Sequence, residues 1–80
     1  MKLFAAHRQL LGRRELDMQV PAGATIAEVW RQLKAEQPPL AHLSDTLVAA
    51  LNHDYAPLDA RVHEGDVVAF IPPVSGGAHV

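Results

Sequence analysis

The residues with the most distinctive chemistry lie near the C-terminus, in the stretch AFIPPVSGGAHV. Gly76 and Gly77 carry no Cβ, so the backbone there can approach another protein more closely than a chain with side chains can. Pro72 and Pro73 favour an extended polyproline path, which lowers the entropy lost when such a segment enters a partner. This pattern predicts a thin tail that inserts into a narrow channel of another protein.

The residues before the last glycine complete this candidate site. We expect Val74, Ser75 and Gly76 to form the inserted segment. The residues that we expect to contact the partner beside the tail are Phe70, Ile71, Pro72 and Pro73. An alternative stays open for the first two of these, because residues at the end of a strand also alternate between core and surface.

The other polar residues indicate little chemistry. The histidines show neither H-x-H nor H-x₃-H spacing and no cysteine supports them, so we expect exposed loop histidines and no metal site. They are His7, His42, His53, His63 and His79. The carboxylates before the last strand could do acid–base work, but they are more typical of solvated turns or of an acidic surface for a basic partner. They are Asp54, Asp59, Glu64 and Asp66.

Three further features have structural interpretations. Arg13 and Arg14 could bind a phosphate, but such a pair is more typical of an exposed hairpin end. Trp30 lies on an apolar stripe, which favours core packing over a cofactor contact. The glycines outside the tail are isolated, so the chain has no phosphate-binding loop and we expect it to bind no cofactor.

Composition limits the class of protein. The 80 residues suffice for one small domain, and an apolar share of 49% can form a core. A formal net charge of −2 argues against a nucleic-acid partner, because phosphate binding needs a basic face. The N-terminus lacks the apolar run of a signal peptide, and no segment approaches the length of a membrane span. We therefore expect a soluble, cytoplasmic protein with no membrane partner.

The best-defined element is a helix predicted from Thr25 to Gln37. Thr25 and Glu28 match the capping box, and Pro38-Pro39 is expected to end the helix. The apolar residues follow the i, i+3, i+4, i+7 spacing of one buried stripe. They are Ile26, Val29, Trp30 and Leu33.

Strands are predicted on both sides of this helix, and together they indicate a two-layer α+β domain. The predicted strands are residues 2–6, 15–20, 45–52, a short piece within 53–58, and 67–71. One helical turn over residues 7–11 is expected to end at Gly12, and Gly65 is expected to adopt a positive φ. We therefore predict a mixed sheet with one main helix packed across one face. The domain is predicted to span residues 1–74, followed by a flexible tail of residues 75–80.

The segment EGDVVAFIPPVSGG resembles the C-terminal signature of the MoaD/ThiS sulfur-carrier family. KLFAAHRQLLGRRELDMQV resembles the first hairpin of that family, ATIAEVWRQL its helix, and VAALNHDYAPLD the segment before the last turn. The resemblance covers nearly the whole chain in order, and its C-terminal part is the most specific. The PPVS before the glycines favours the molybdopterin synthase small-subunit branch.

The resemblance implies a ubiquitin-like β-grasp fold, which agrees with the element order above. It also implies that a partner adenylating and sulfurtransferase enzyme uses ATP to activate the carboxylate of Gly77, which then becomes a thiocarboxylate. A large synthase subunit would use that sulfur to build the dithiolene of molybdopterin from a pterin precursor. The expected assembly is a heterotetramer with two large subunits at its centre, in which this chain donates sulfur and is not an enzyme on its own.

The chain departs from the family pattern after Gly77, because Ala78, His79 and Val80 follow. The carbonyl of Gly77 is then part of an amide and offers no carboxylate to adenylate. We expect a peptidase to remove these three residues, since short flexible termini are easily cleaved. The alternative is an unprocessed or repurposed relative.

Other functions remain open at this point. A sulfur carrier for thiamin or cysteine formation would keep the chemistry and change the partner. A ubiquitin-like modifier would join Gly77 to lysines of other proteins. A pure interaction module would use the domain alone, with a blocked tail.

Overall fold

The computed structural model describes residues 1–8, 15–43 and 46–71, which form one sheet and one main helix. The elements follow the predicted order of strand, strand, helix, strand, short strand and strand. Their bounds are β1 Lys2–His7, β2 Leu16–Gln19, α1 Ile26–Glu36, a 3-10 helix Pro38–Leu40, β3 Val48–Leu51, β4 Asp54–Ala56 and β5 Val67–Ile71.

The five strands form a mixed sheet in the order β2-β1-β5-β3-β4. Strand β5 runs parallel to β1 and antiparallel to β3, while the outer pairs β1–β2 and β3–β4 are antiparallel. The last strand is therefore central, as its continuous apolar run predicts. Consequently, the strand that leads to the paired glycines is held from both sides.

Helix α1 begins and ends as its sequence predicts. The backbone N–H of Thr25 donates to Oε1 of Glu28 at 2.8 Å, and the N–H of Glu28 donates to Oγ1 of Thr25 at 3.3 Å. This reciprocal pair satisfies two N–H groups that the first turn would otherwise leave open. At the other end, the N–H of Gln37 donates to the carbonyl of Leu33, and the prolines that follow form the 3-10 helix.

The core lies between α1 and one face of the sheet. All four residues of the predicted helical stripe are buried, and they pack against alternate residues of the central strands. The largest fully buried side chains of the core are Trp30, Phe70, Leu3, Ile26, Leu33, Leu40, Val29, Val62 and Val68. The prediction of one helix packed across one face of a mixed sheet is confirmed.

The prediction for His7 is wrong. It is the last residue of β1 and is only 2% exposed, whereas the sequence indicated the start of a helical turn and an exposed loop histidine. The pairing of β1 with β5 overrides the local helical pattern, because His7 is the register partner of Phe70. The rest of that predicted turn, with Gly12, Arg13 and Arg14, lies outside the described residues.

Two other strands are shorter than predicted. The alternating segment 15–20 forms a strand only at Leu16–Gln19, and the segment 45–52 only at Val48–Leu51. The domain boundary predicted at residue 74 lies outside the described residues. In the ranges that the structure covers, no helix is long and apolar enough to cross a membrane.

Turns on one end of the sheet bring polar side chains together. Gly65 has the expected positive φ of 83°. Asn52 and His53, in the hairpin between β3 and β4, have φ of 51° and 76°, which non-glycine residues seldom adopt. The Asn52 amide donates to Asp66 at 3.0 Å and accepts from the N–H of Val67 at 2.9 Å. These bonds fix the hairpin to the start of β5.

Candidate functional site

The candidate site lies where β5 ends, because the residues that follow this strand in the sequence are the two prolines and then the predicted tail. Ile71 is its last residue, is half-buried, and pairs with Val48 of β3. The backbone N–H of Arg8 donates to the carbonyl of Phe70 at 2.9 Å, which holds β5 to β1 just before the tail. The end of β5 is thus held by a strand on each side.

The tail itself lies outside the described residues. The tail roles assigned above therefore stay predictions. They concern Pro72, Pro73, Val74, Ser75, Gly76 and Gly77.

Phe70 belongs to the core. Its side chain is 0% exposed, and its ring centroid lies 5.0 Å from that of Trp30 at an interplanar angle of 44°. The side chain offers no surface to a partner, so of the two interpretations of Phe70 the structure shows the core one. Ile71, the next residue, keeps an accessible side chain at the strand end.

A third ring joins this pair. The imidazole of His7 stacks on Trp30 with ring centroids 5.8 Å apart and an interplanar angle of 25°. Burial lowers the pKa of His7 below 6.5, because the low-dielectric core disfavours the charged imidazolium. We call His7, Trp30 and Phe70 the ring stack; it joins the last residue of β1, helix α1 and the next-to-last residue of β5.

The sheet face opposite α1 carries a shallow groove beside the end of β5. Its volume is about 180 Å³. Its lining residues are Arg8, Ala50, His53, Tyr55, Val67, Ala69 and Ile71. Ala50 and Ala69 are register partners at its centre, and the groove is open there because their side chains are small. Sequence reasoning missed this groove, because it depends on register between strands that are distant in the chain.

Charge and exposure give the groove a distinct chemistry. Arg8 supplies a cation, and no carboxylate is among the residues that line the groove. Tyr55 is 80% exposed on one side of it, and Val48 on β3 is 45% exposed. Exposed apolar side chains next to one cation suit a partner surface that is apolar and carries an acidic group.

The carboxylates near β5 stabilise turns. Oδ2 of Asp66 accepts from the N–H of His63 at 2.7 Å, and Oε1 of Glu64 accepts from the N–H of Lys2 at 2.9 Å. These contacts match the turn interpretation of both residues. Within residues 1–8, 15–43 and 46–71, no three histidine or acidic side chains form a group that could hold a metal ion.

Fold and site together define a β-grasp protein whose central last strand leads to a pair of glycines. The chain belongs to the ThiS family, whose model matches residues 1–77. That match includes both glycines and stops before the three residues that depart from the family pattern.

Individual members of known protein families are similar to this chain over most of its length, in sequence and in structure. The molybdopterin synthase sulfur carrier subunit of Arabidopsis thaliana is 37% identical over 75 residues, which cover 94% of this chain and 78% of that protein. The subunit of the same name from Chlamydomonas reinhardtii is 38% identical over 76 residues and covers 92% of both chains. The crystal structure of SAMP1 from Haloferax volcanii has a TM-score of 0.76 at 25% identity, covering 96% of this chain and 100% of that one. The family resemblance and the ubiquitin-like β-grasp fold are thereby confirmed.

Proposed function

We propose that this chain is a sulfur carrier, the small subunit of a molybdopterin synthase in molybdenum cofactor biosynthesis. The observation that carries the proposal is the family match over residues 1–77, which ends on the second of the paired glycines. The names of the relatives from Arabidopsis and Chlamydomonas support the molybdopterin branch over thiamin or cysteine formation.

The chemistry takes place on the carboxyl carbon of Gly77. A carboxylate oxygen of the free terminus attacks the α-phosphorus of ATP held by the partner enzyme, and pyrophosphate leaves. A sulfur nucleophile then displaces AMP from the acyl-adenylate, which leaves a thiocarboxylate. The sulfur passes to the pterin precursor in the large subunit. ATP is thus bound by the activating partner, and this chain supplies no catalytic group of its own.

The domain's contribution is to present the tail. Strand β5 is anchored to β1 and β3, so a partner meets a firm base from which the glycines extend. The groove beside Ile71 gives the partner an apolar surface with Arg8 at its edge. A partner that docks there is positioned to receive the tail. Docking thereby lowers the entropy that is lost when the carboxyl group of Gly77 meets its reaction partner.

Processing is part of the proposal, because the peptide bond to Ala78 occupies the carboxyl group of Gly77. A peptidase would release residues 78–80 before activation. The processed chain would act in the cytoplasm and assemble with two large subunits into a heterotetramer.

A second candidate function is protein modification, in which lysine amines attack the activated Gly77. The fold is similar to that of SAMP1, a small archaeal modifier protein of Haloferax volcanii, with a TM-score of 0.76 at 25% identity, and this similarity keeps protein modification as the alternative. Both functions need a free carboxyl group on Gly77. They differ in the nucleophile that attacks the activated carbon, which is a sulfur nucleophile in one and a lysine amine in the other.

Intact-mass measurement separates these functions. The chain ending at Gly77 is incubated with the activating enzyme, ATP and a sulfur source. We expect a gain of about 16 Da, because one sulfur replaces one oxygen. The full-length chain and a Gly77→Ala variant of the shortened chain are the matched controls, and neither should gain mass. Higher-mass adducts on other proteins would instead support the modifier, and an unchanged mass would contradict the sulfur carrier.

A further inference from the structure

We propose that His53 is a contact residue for the large subunit: its imidazole donates a hydrogen bond to an oxygen acceptor of that partner, at the end of the groove opposite Arg8. The inference rests on the sulfur-carrier function proposed above and adds a second anchor to its docking surface. The observations that carry it are the backbone conformation of His53 and its place in the groove.

His53 is the second residue of a two-residue turn between β3 and β4. Leu51 and Asp54 are register partners, so the loop between them contains only two residues. Both of these, Asn52 and His53, have a positive φ, as in the type I′ turns that favour asparagine followed by glycine. A histidine in the glycine position carries a backbone strain that glycine would not carry.

Asn52, the first residue of the turn, has a structural reason for its conformation. Its side-chain amide bonds to Asp66 and to the N–H of Val67, which holds the turn against the start of β5. His53 has no such reason: within residues 1–8, 15–43 and 46–71, its imidazole forms no hydrogen bond, ion pair or ring contact. Folding alone would therefore favour glycine at position 53, and the imidazole is available to a partner.

His53 is exposed and lies at the end of the groove that is far from Ile71. The groove follows β5, and its lining includes both Val67 and Ile71, the first and last residues of that strand. His53 belongs to the turn that is fixed to Val67. Arg8 lies at the other end, because its N–H donates to the carbonyl of Phe70. The length of β5 separates the two ends by about 13 Å.

The lining of the groove defines the part of the large subunit that fits it. Ala50 and Ala69 form an apolar centre, while Arg8 and His53 offer hydrogen-bond donors at the two ends. No carboxylate lines the groove to pair with these donors. An extended apolar segment of the large subunit, with an acidic group at one end and an oxygen acceptor at the other, satisfies both. Two anchors at opposite ends also fix the direction in which this segment lies.

Two substitutions separate the imidazole from the backbone strain. His53→Ala and His53→Gly both remove the imidazole, but only glycine relieves the positive φ. His42→Ala is the matched control, because His42 is an exposed histidine outside the groove. Urea unfolding, followed by the fluorescence of the only tryptophan, Trp30, measures stability. We expect a higher urea midpoint for His53→Gly than for His53→Ala.

Calorimetry with the large subunit measures the effect of each variant on docking, in the chain ending at Gly77. We expect His53→Ala and His53→Gly to lose affinity by the same factor, about fivefold or more, because each removes one hydrogen bond from the interface. His42→Ala should bind as the wild type does. Equal losses of affinity in two variants of unequal stability would assign the effect to the imidazole and not to the turn.

Four results would overturn the inference. If the wild type binds the large subunit and both His53 variants bind equally tightly, the contact is absent while the sulfur carrier stands. If only one of the two variants loses affinity, the conformation of the turn is responsible and not the imidazole. If His53→Gly is no more stable than His53→Ala, the backbone strain that points to a contact is absent. If the wild type neither gains sulfur nor binds the large subunit, the proposed function fails and the contact fails with it.

Discussion

At the scale of single residues, the candidate site combines the end of β5, which precedes the paired glycines in the sequence, with the cation of Arg8. In the proposed function the paired glycines are the reactive end, and their type and position are readable from the sequence. Arg8 was not singled out, because its closeness to Ile71 arises from the parallel pairing of β1 with β5. The residues of one strand do not by themselves specify which distant strand pairs with it.

Arg8→Glu should weaken binding of the large subunit. Reversal of the charge at the edge of the groove would place a carboxylate against the acidic group that a partner surface suited to this groove carries. The expected loss is about tenfold in affinity, and it should shrink at high salt because exposed charges are screened. Arg31→Glu is the matched control, because Arg31 is exposed on α1, away from the groove. Equal affinities of the two variants, measured by calorimetry, would show that Arg8 is not part of the interface.

At the scale of elements, the helix and the last strand were predictable because their signals are local. The capping box at Thr25 and the prolines at 38–39 lie within a few residues of the helix ends that they define. Strand β5 was found from a run of five apolar residues, Val67–Ile71. The extension of β1 to His7 was missed, since the sequence AAHRQLLG also suits a helical turn and only pairing with a distant strand decides between them.

Thr25→Ala should destabilise the domain by about 1 kcal/mol, because it removes one partner of the capping box. Thr25→Ser keeps the hydroxyl oxygen and is expected to retain most of the stability. Urea unfolding followed by Trp30 fluorescence gives both values. A Thr25→Ala variant as stable as the wild type would mean that the cap contributes nothing to folding.

At the scale of the whole molecule, one buried histidine couples stability to pH. The pKa of His7 in the folded chain is lowered by burial, so the unfolded chain binds more protons at mildly acidic pH. The unfolded chain has a His7 pKa of 6.5. The stabilisation of the fold by neutral His7 is therefore complete above pH 6.5 and is lost as the pH falls towards the lower pKa of the folded chain.

This coupling predicts a lower urea midpoint at about pH 5.5 than at about pH 7.5 for the wild type. The His7→Phe variant should show a smaller difference between the two conditions, while His42→Gln should behave like the wild type. If His7→Phe and the wild type lose the same stability on acidification, His7 does not carry the effect.

In the function that we propose, the whole domain presents the carboxyl carbon of Gly77, and sulfur is delivered from that carbon. The most direct measurement mixes the thiocarboxylated chain, ending at Gly77, with the large subunit and the pterin precursor, and follows intact mass and dithiolene formation together. We expect the chain to lose about 16 Da as oxygen replaces sulfur, in step with the appearance of product. A chain that keeps its sulfur in the presence of a competent large subunit and precursor would contradict the account.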